Sequence, residues 1–134
     1  MTLKNQLADN IARIINATRN RKQEVELLRS KKMMSIASLL RKHGFIRNYR
    51  MCTSTITIQL KYSKDQSVMK DIKYHSHLDT KNILSFAQLT QLTQNQTTSL
   101  GGLSLLVLST PLGILTNVEC LKKKIGGNLL LKVS

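Results

Sequence analysis

VLSTPLGILTNVECLKKKIGGNLLLKV, residues 107–133, decides how the chain is read. An apolar run over 105–108 stops at Ser109-Thr110-Pro111, and Gly113 follows two residues later. Proline cannot donate into a sheet ladder and pushes the residue before it to extended geometry, so a strand is expected to end here. Thr116 or Asn117 is placed to cap a short helix, and Glu119 falls in its favourable first turn. Lys122, Lys123 and Lys124 fall near the negative end of that helix. The Gly126-Gly127 pair predicts a left-handed stop, and residues 128–133 read as a closing strand. The order is strand, hydroxyl-rich loop, basic helix, glycine turn, strand. Two hydroxyls, loop amides and a lysine run on one small unit suit a phosphate backbone rather than bond-making chemistry.

The rest of the chain carries the same polarity. Its 134 residues hold 21 Lys+Arg against 7 Asp+Glu, a net charge of +14, which favours a polyanion, nucleic acid before membrane. Solubility alone is the weaker explanation of so large an excess. All the arginines lie between Arg13 and Arg50, and the C-terminal part uses lysine only. Arginine forks onto phosphate and stacks on bases whereas lysine acts as a point charge, so two unlike RNA-facing surfaces are expected. Two cysteines, Cys52 and Cys120, make no disulfide framework and fit a reducing compartment. No apolar run is long enough to cross a bilayer. Residues 1–9 read as part of the domain rather than as a signal or transit peptide.

In chain order, Leu3, Leu7, Ile11, Ile14, Ile15 and Thr18 recur at helical spacing and predict an amphipathic helix over 3–18, with Asp9 and Arg13 placed to pair. Arg13, Asn16, Arg19, Arg21 and Lys22 give its end a basic flank. Residues 25–28 read as a short strand, and Ser30 as the cap of a second helix that buries Met33, Ile36, Ala37 and Leu40 and stops at Gly44. Strands are expected over 45–51 and 55–62, the second alternating cleanly, with a further strand over 67–74. Residues 88–99, QLTQLTQNQTTS, read as a polar loop or poor helix, after which Gly101-Gly102 reopens regular structure before a strand over 104–108. The expected class is α+β, built of two modules. Residues 1–64 form an N-terminal α/β module with two helices on a sheet, and 65–134 a C-terminal, mostly-β module with a short basic helix.

Catalytic and metal chemistry lack a constellation. His75 and His77 sit two apart, but no Cys-x-x-Cys or His-x-x-x-His spacing joins them to His43 or the cysteines, so ordinary surface histidines are expected. Ser109 has no Gly-x-Ser-x-Gly elbow around it, and the glycine pairs lack the pattern of a nucleotide loop. With two Phe, three Tyr and no Trp, stacking on single strands is poorly equipped, and folded RNA gripped by backbone and shape fits better. No enzyme, cofactor, metal, membrane or small-molecule substrate is expected.

Three stretches together resemble the universal ribosomal protein S-eight family of the small subunit. They are LADNIARIINA (7–17), SKKMMSIASLLRKHGFI (30–46) and the final unit with Ser109, Thr110, Gly113, Ile114, Thr116, the lysine run, Gly126 and Gly127. The resemblance implies a structural and assembly component that binds a helix of the central domain of small-subunit rRNA, one with an irregular, bulged core. It implies that Ser109, Thr110, Pro111 and the amides near Gly113 meet that core, and that Thr116 and the Gly126-Gly127-Asn128 turn frame it. Lys122, Lys123 and Lys124 join the same surface, and Arg13, Asn16, Ser30 and Lys31 touch flanking RNA. It also implies neighbouring small-subunit proteins as partners, protein five among them. The chain departs from the family pattern at Ile15, at Asn128, in the Leu-Leu-Lys-Val-Ser ending and in a Pro-Gly turn that is missing before residue 100. A drifted lineage with a retained motif core points to an organellar ribosome, mitochondrial ahead of plastid or bacterial. The competing expectation is a free-standing regulatory binder of RNA or DNA outside any particle.

Overall fold

The computed structural model describes residues 6–64, 66–69, 71–75, 83–98 and 105–133. The chain divides into two compact units, Met1–Lys70 and Asp71–Ser134.

The first unit runs α1 (Gln6–Arg19), β1 (Glu24–Leu28), α2 (Lys31–Lys42), β2 (Ile46–Met51), β3 (Thr55–Leu60), β4 (Tyr62–Ser63) and β5 (Gln66–Ser67). β3 lies between β1 and β2 in an antiparallel three-stranded sheet. The period of two puts Ile56, Ile58 and Leu60 in the core and leaves Thr55, Thr57 and Gln59 half-exposed. Against a 3.6-residue period, Ile11, Ile14 and Ala17 of α1 and Met33, Ile36, Ala37 and Leu40 of α2 form the buried stripes. Ser30 caps α2, accepting from the Met33 amide at 3.1 Å. α2 ends as expected at Gly44 (φ +80°), where Gly44 N–H donates to Arg41 C=O and Phe45 N–H to Leu40 C=O.

One buried polar residue escaped the sequence reading. Asn10 of α1 is 1% exposed, and its carboxamide donates to Leu28 C=O (3.0 Å) and accepts from Leu28 N–H (3.2 Å). Each fully buried Ile or Leu contributes about 1.5–3 kcal/mol, and a hydrogen bond about 0.5–1.5 kcal/mol net. The stripes therefore hold α1 down, and Asn10 fixes where along β1 it sits. Among the described residues no ion pair joins Asp9 to Arg13; the pair that forms is Arg50 to Glu24, 3.9 Å apart and exposed.

The second unit contains β6 (Ile72–Tyr74), β7 (Ile83–Leu84), α3 (Phe86–Thr98), β8 (Leu105–Thr110), β9 (Gly113–Thr116), α4 (Asn117–Lys123) and β10 (Gly127–Val133). β10 is the pivot of its five-stranded sheet. It pairs β8 on one edge, and on the other it pairs β7 at Gly127 and Asn128 and β6 from Leu131 to Val133. Leu106, Leu108 and Leu129 of the sheet pack with Leu89 of α3 and Cys120 of α4, flanked by Leu84, Leu115 and Ile125. One expectation changes here, and one pair of alternatives is decided. Residues 67–74 are not one strand, because β5 and β6 are separate. The Gln/Thr-rich stretch is helical: it buries Leu89 and packs Leu92 partly against the same cluster, and Ser85 and Gln88 exchange capping bonds at its start. The expected Gly101-Gly102 turn and His77 lie outside the described residues.

Candidate nucleic-acid interface

The hydroxyl-rich segment is a hairpin rather than a loop. β8 continues through Ser109 and Thr110, turns at Pro111-Leu112 and returns as β9, with Val107 opposite Thr116, Ser109 opposite Ile114 and Thr110 opposite Gly113. Pro111 occupies the turn, where its fixed φ suits the first corner and its missing N–H costs no ladder bond. Gly113 follows at φ +115°, a backbone state that side-chain-bearing residues resist. The Thr110 hydroxyl closes the turn, donating to Gly113 C=O (2.8 Å) and accepting from Leu112 N–H (3.1 Å). Leu112 is left 62% exposed at the tip.

Ser109 lies in a row that crosses four strands. The registers put Ile83 opposite Asn128, Asn128 opposite Ser109, and Ser109 opposite Ile114. Cross-strand partners share a face, so this row is on the side away from Leu108 and Leu129, which pack beneath the helices. The half-buried Ser109 hydroxyl has no partner among the described residues and is free to bond outward.

The two glycines that frame this row do different work from that expected. Neither is the left-handed stop of α4. That residue is Lys124 (φ 57°, ψ 43°), with Ile125 N–H donating to Cys120 C=O at 3.0 Å and Lys124 N–H to Leu121 C=O at 3.2 Å. The glycines permit close approach instead. A Cβ on Gly126 would stand 2.2 Å from Leu84 C=O, and one on Gly127 would stand 2.8 Å from the Thr110 methyl and 2.9 Å from Ser109 C=O. Gly127 thus lets β10 come close enough to set Asn128 beside Ser109.

α4 begins at Thr116, whose hydroxyl accepts from Glu119 N–H at 3.3 Å. Thr116 is fully buried, so it offers no surface to a ligand and acts as the hinge between hairpin and helix. Lys122, Lys123 and Lys124 are all exposed at the negative end of α4. Cys120 is fully buried beneath them, and burial, reinforced by Glu119, pushes its thiol above the usual range.

In the first unit, Arg13 and Asn16 are exposed on α1 and Lys31 on the first turn of α2, while Ser30 is half-buried with its hydroxyl engaged as a cap. The left-handed stop recurs at the end of α1, where Arg21 (φ 55°) is followed by Lys22 N–H donating to Ala17 C=O. Among the described residues no cluster of three or more His, Cys, Asp or Glu could hold a metal, and no helix is long and apolar enough to cross a membrane.

The sequence profile of the family described as Ribosomal protein S8 matches residues 5–134. Curated proteins similar to the chain include three named "Small ribosomal subunit protein uS8". That of Pelagibacter ubique is 31% identical over 137 residues, covering 99% of both chains. That of Ruthia magnifica subsp. Calyptogena magnifica is 28% identical with the same coverage, and that of Oleidesulfovibrio alaskensis is 32% identical over 127 residues, covering 95% of both.

Proposed function

We infer the function of this chain from a firm premise: it belongs to the ribosomal protein S8 family. It is therefore a structural, non-enzymatic protein of the small ribosomal subunit, working within the ribosome among rRNA and other small-subunit proteins. The finer reading is that it binds a helix of the central domain of the small-subunit rRNA, one whose core is irregular. Ser109 presented on a stiff hairpin, with Asn128 at its side and three lysines on the adjoining helix, is the observation that carries this reading. The ordering cost of the contact is met in the fold, because the turn is closed by Thr110 and Pro111 before RNA arrives. The hydroxyl and carboxamide read shape and base edges, and the lysines supply phosphate attraction. Lys31, Arg13 and Asn16 of the first unit are assigned to flanking RNA, and protein five is the protein neighbour expected from the family resemblance.

The ribosome in question is assigned to a mitochondrion. Identities of 28–32% to bacterial proteins of almost equal length, together with the departures at Ile15 and Asn128, support a drifted lineage under relaxed constraint. Sucrose-gradient sedimentation of a tagged chain tests both levels. Salt-washed small subunits of purified mitochondria are expected to carry it. Recovery in the small subunits of another compartment would sink the mitochondrial assignment alone, and a free pool would favour a regulatory binder over a particle component.

A further inference from the structure

Arg13, Asn16 and Ala17 of α1 and Asn20 just past its end recur at helical spacing on one side, and together with Lys22 and residues 24–26 of β1 they line a cleft of about 320 Å³. The strand wall of this cleft is fixed by the ladder. Gln23 C=O accepts from Leu60 N–H, facing β3, whereas Leu28 turns both its N–H and its C=O away from β3 to the Asn10 carboxamide. Antiparallel residues alternate between bonded and non-bonded positions, so Glu24 and Glu26, in step with Leu28, also turn their backbone groups outward. Asn10 closes this edge at one end. Beyond it, among the described residues, the outward amides and carbonyls of Glu24 and Glu26 face the cleft without a partner.

The Asn10 carboxamide already takes the outward groups of Leu28, and the volume lies at the small end of the roughly 300–1,000 Å³ typical of ligand sites. The cleft is on the scale of one nucleotide. Outward N–H and C=O groups and two carboxamides offer donors and acceptors side by side, the complement of a base edge. The charges are also polarised. Arg13 and Lys22 are cationic, while the strand wall carries two carboxylates, of which Glu24 already pairs with Arg50. A phosphate is held at the cations and repelled from the strand, which directs the base toward β1.

We propose that this cleft receives a single unpaired RNA nucleotide, its base edge against the outward backbone of β1 and the carboxamides of Asn16 and Asn20, its phosphate at Arg13 and Lys22. The proposal rests on the RNA-binding reading above and adds to it a site at which an unstacked nucleotide, rather than a duplex backbone, is held. The test uses the full chain in assembled small subunits, with p-benzoylphenylalanine in place of Ala12, exposed on α1 one turn before Asn16 and outside the cleft lining. Irradiation is expected to join the chain to one unpaired nucleotide. The variant Asn20→Tyr, which fills the cleft at an exposed position without altering charge, is expected to leave that nucleotide open to base-modifying reagents. Its affinity for purified small-subunit rRNA is expected to fall about threefold to tenfold, with melting unchanged and the salt slope lowered by about one as the phosphate leaves Arg13 and Lys22. Cross-links to a protein or to paired RNA, or unchanged protection with Asn20→Tyr, would overturn the proposal while leaving the RNA-binding reading intact. A wild-type chain that is absent from the particles and does not bind the rRNA would overturn both.

Discussion

Thr110 uses its hydroxyl on Leu112 N–H and Gly113 C=O, whereas that of Ser109, one residue earlier, points to the opposite face of the sheet with nothing bound. Their substitutions are therefore expected to separate. Ser109→Ala should keep the melting temperature and lower rRNA affinity by up to about tenfold, the worth of one hydrogen bond. Thr110→Val should cost about 1 kcal/mol in urea denaturation, because the turn loses both of its side-chain bonds. Equal melting of the two variants would show that the turn does not depend on Thr110. Gly126 gives a sharper trial of the corrected reading. If it were a left-handed stop, Asn would replace it easily; as a point of backbone contact with Leu84 it tolerates no Cβ at all. Gly126→Ala is expected to cost about 1–3 kcal/mol by overpacking against main chain that has little room to shift. The two cysteines should also part company: the exposed Cys52 reacts with a thiol reagent in the native protein, and Cys120 reacts only on unfolding. Burial raises the Cys120 thiol, so folding favours its protonated form. That contribution to stability is complete below the thiol's ordinary 9.0 and is lost as pH rises through the raised value.

At the scale of elements, the helix ends carry a pattern that propensity alone would not select. α2 stops on Gly44, the residue that pays nothing for left-handed geometry, but α1 and α4 stop on Arg21 and Lys124. Holding a residue with a Cβ there costs about 1–2 kcal/mol, and the return is a cation projected from a fixed corner. Lys124→Gly is thus expected to raise stability by about 0.5–1 kcal/mol while reducing the salt slope of RNA binding by about one. No gain in stability would show the corner to be unstrained. The same elements explain what was legible in the sequence. α1, α2 and β3 were readable because their periods of 3.6 and 2 are uninterrupted and Ser30 marks a start. The hairpin was misjudged because Pro111 reads equally as the end of a strand or as the corner of a turn, and only pairing between β8 and β9 decides between them. α3 was obscured by Gln and Thr, whose helix preference is middling, so the packing of Leu89 decides its state. The glycine pair was assigned to the wrong task because a missing Cβ serves close approach as well as positive φ, and the neighbour that requires it, Leu84, is some forty positions away in sequence. Ser109 and Thr110 stand out together by motif, but that their side chains point to opposite faces follows only from the β8–β9 pairing.

For the whole molecule, the net charge of +14 sets the background against which these contacts operate. Affinity for RNA is expected to fall linearly in log–log form with added salt, and replacing Lys122, Lys123 and Lys124 by Gln should reduce the slope by about two to three. An unchanged slope in a binding titration would remove the lysine run from the interface. The two units also differ in how their chains close on themselves. In the first, β3 lies between β1 and β2, both of which precede it in the chain, so its sheet is complete once residue 60 is made. In the second, β10 is made last, yet β6, β7 and β8 all bond to it. During synthesis, at roughly 5–20 residues per second, the first unit can complete its sheet while the second has only the β8–β9 hairpin to form. The sheet that carries Ser109 therefore waits for residues 127–133 to emerge. In a nascent chain arrested just after Lys124, β6 and β7 have no neighbour to bond to, and the sheet of the second unit would remain open to proteases while that of the first is already closed.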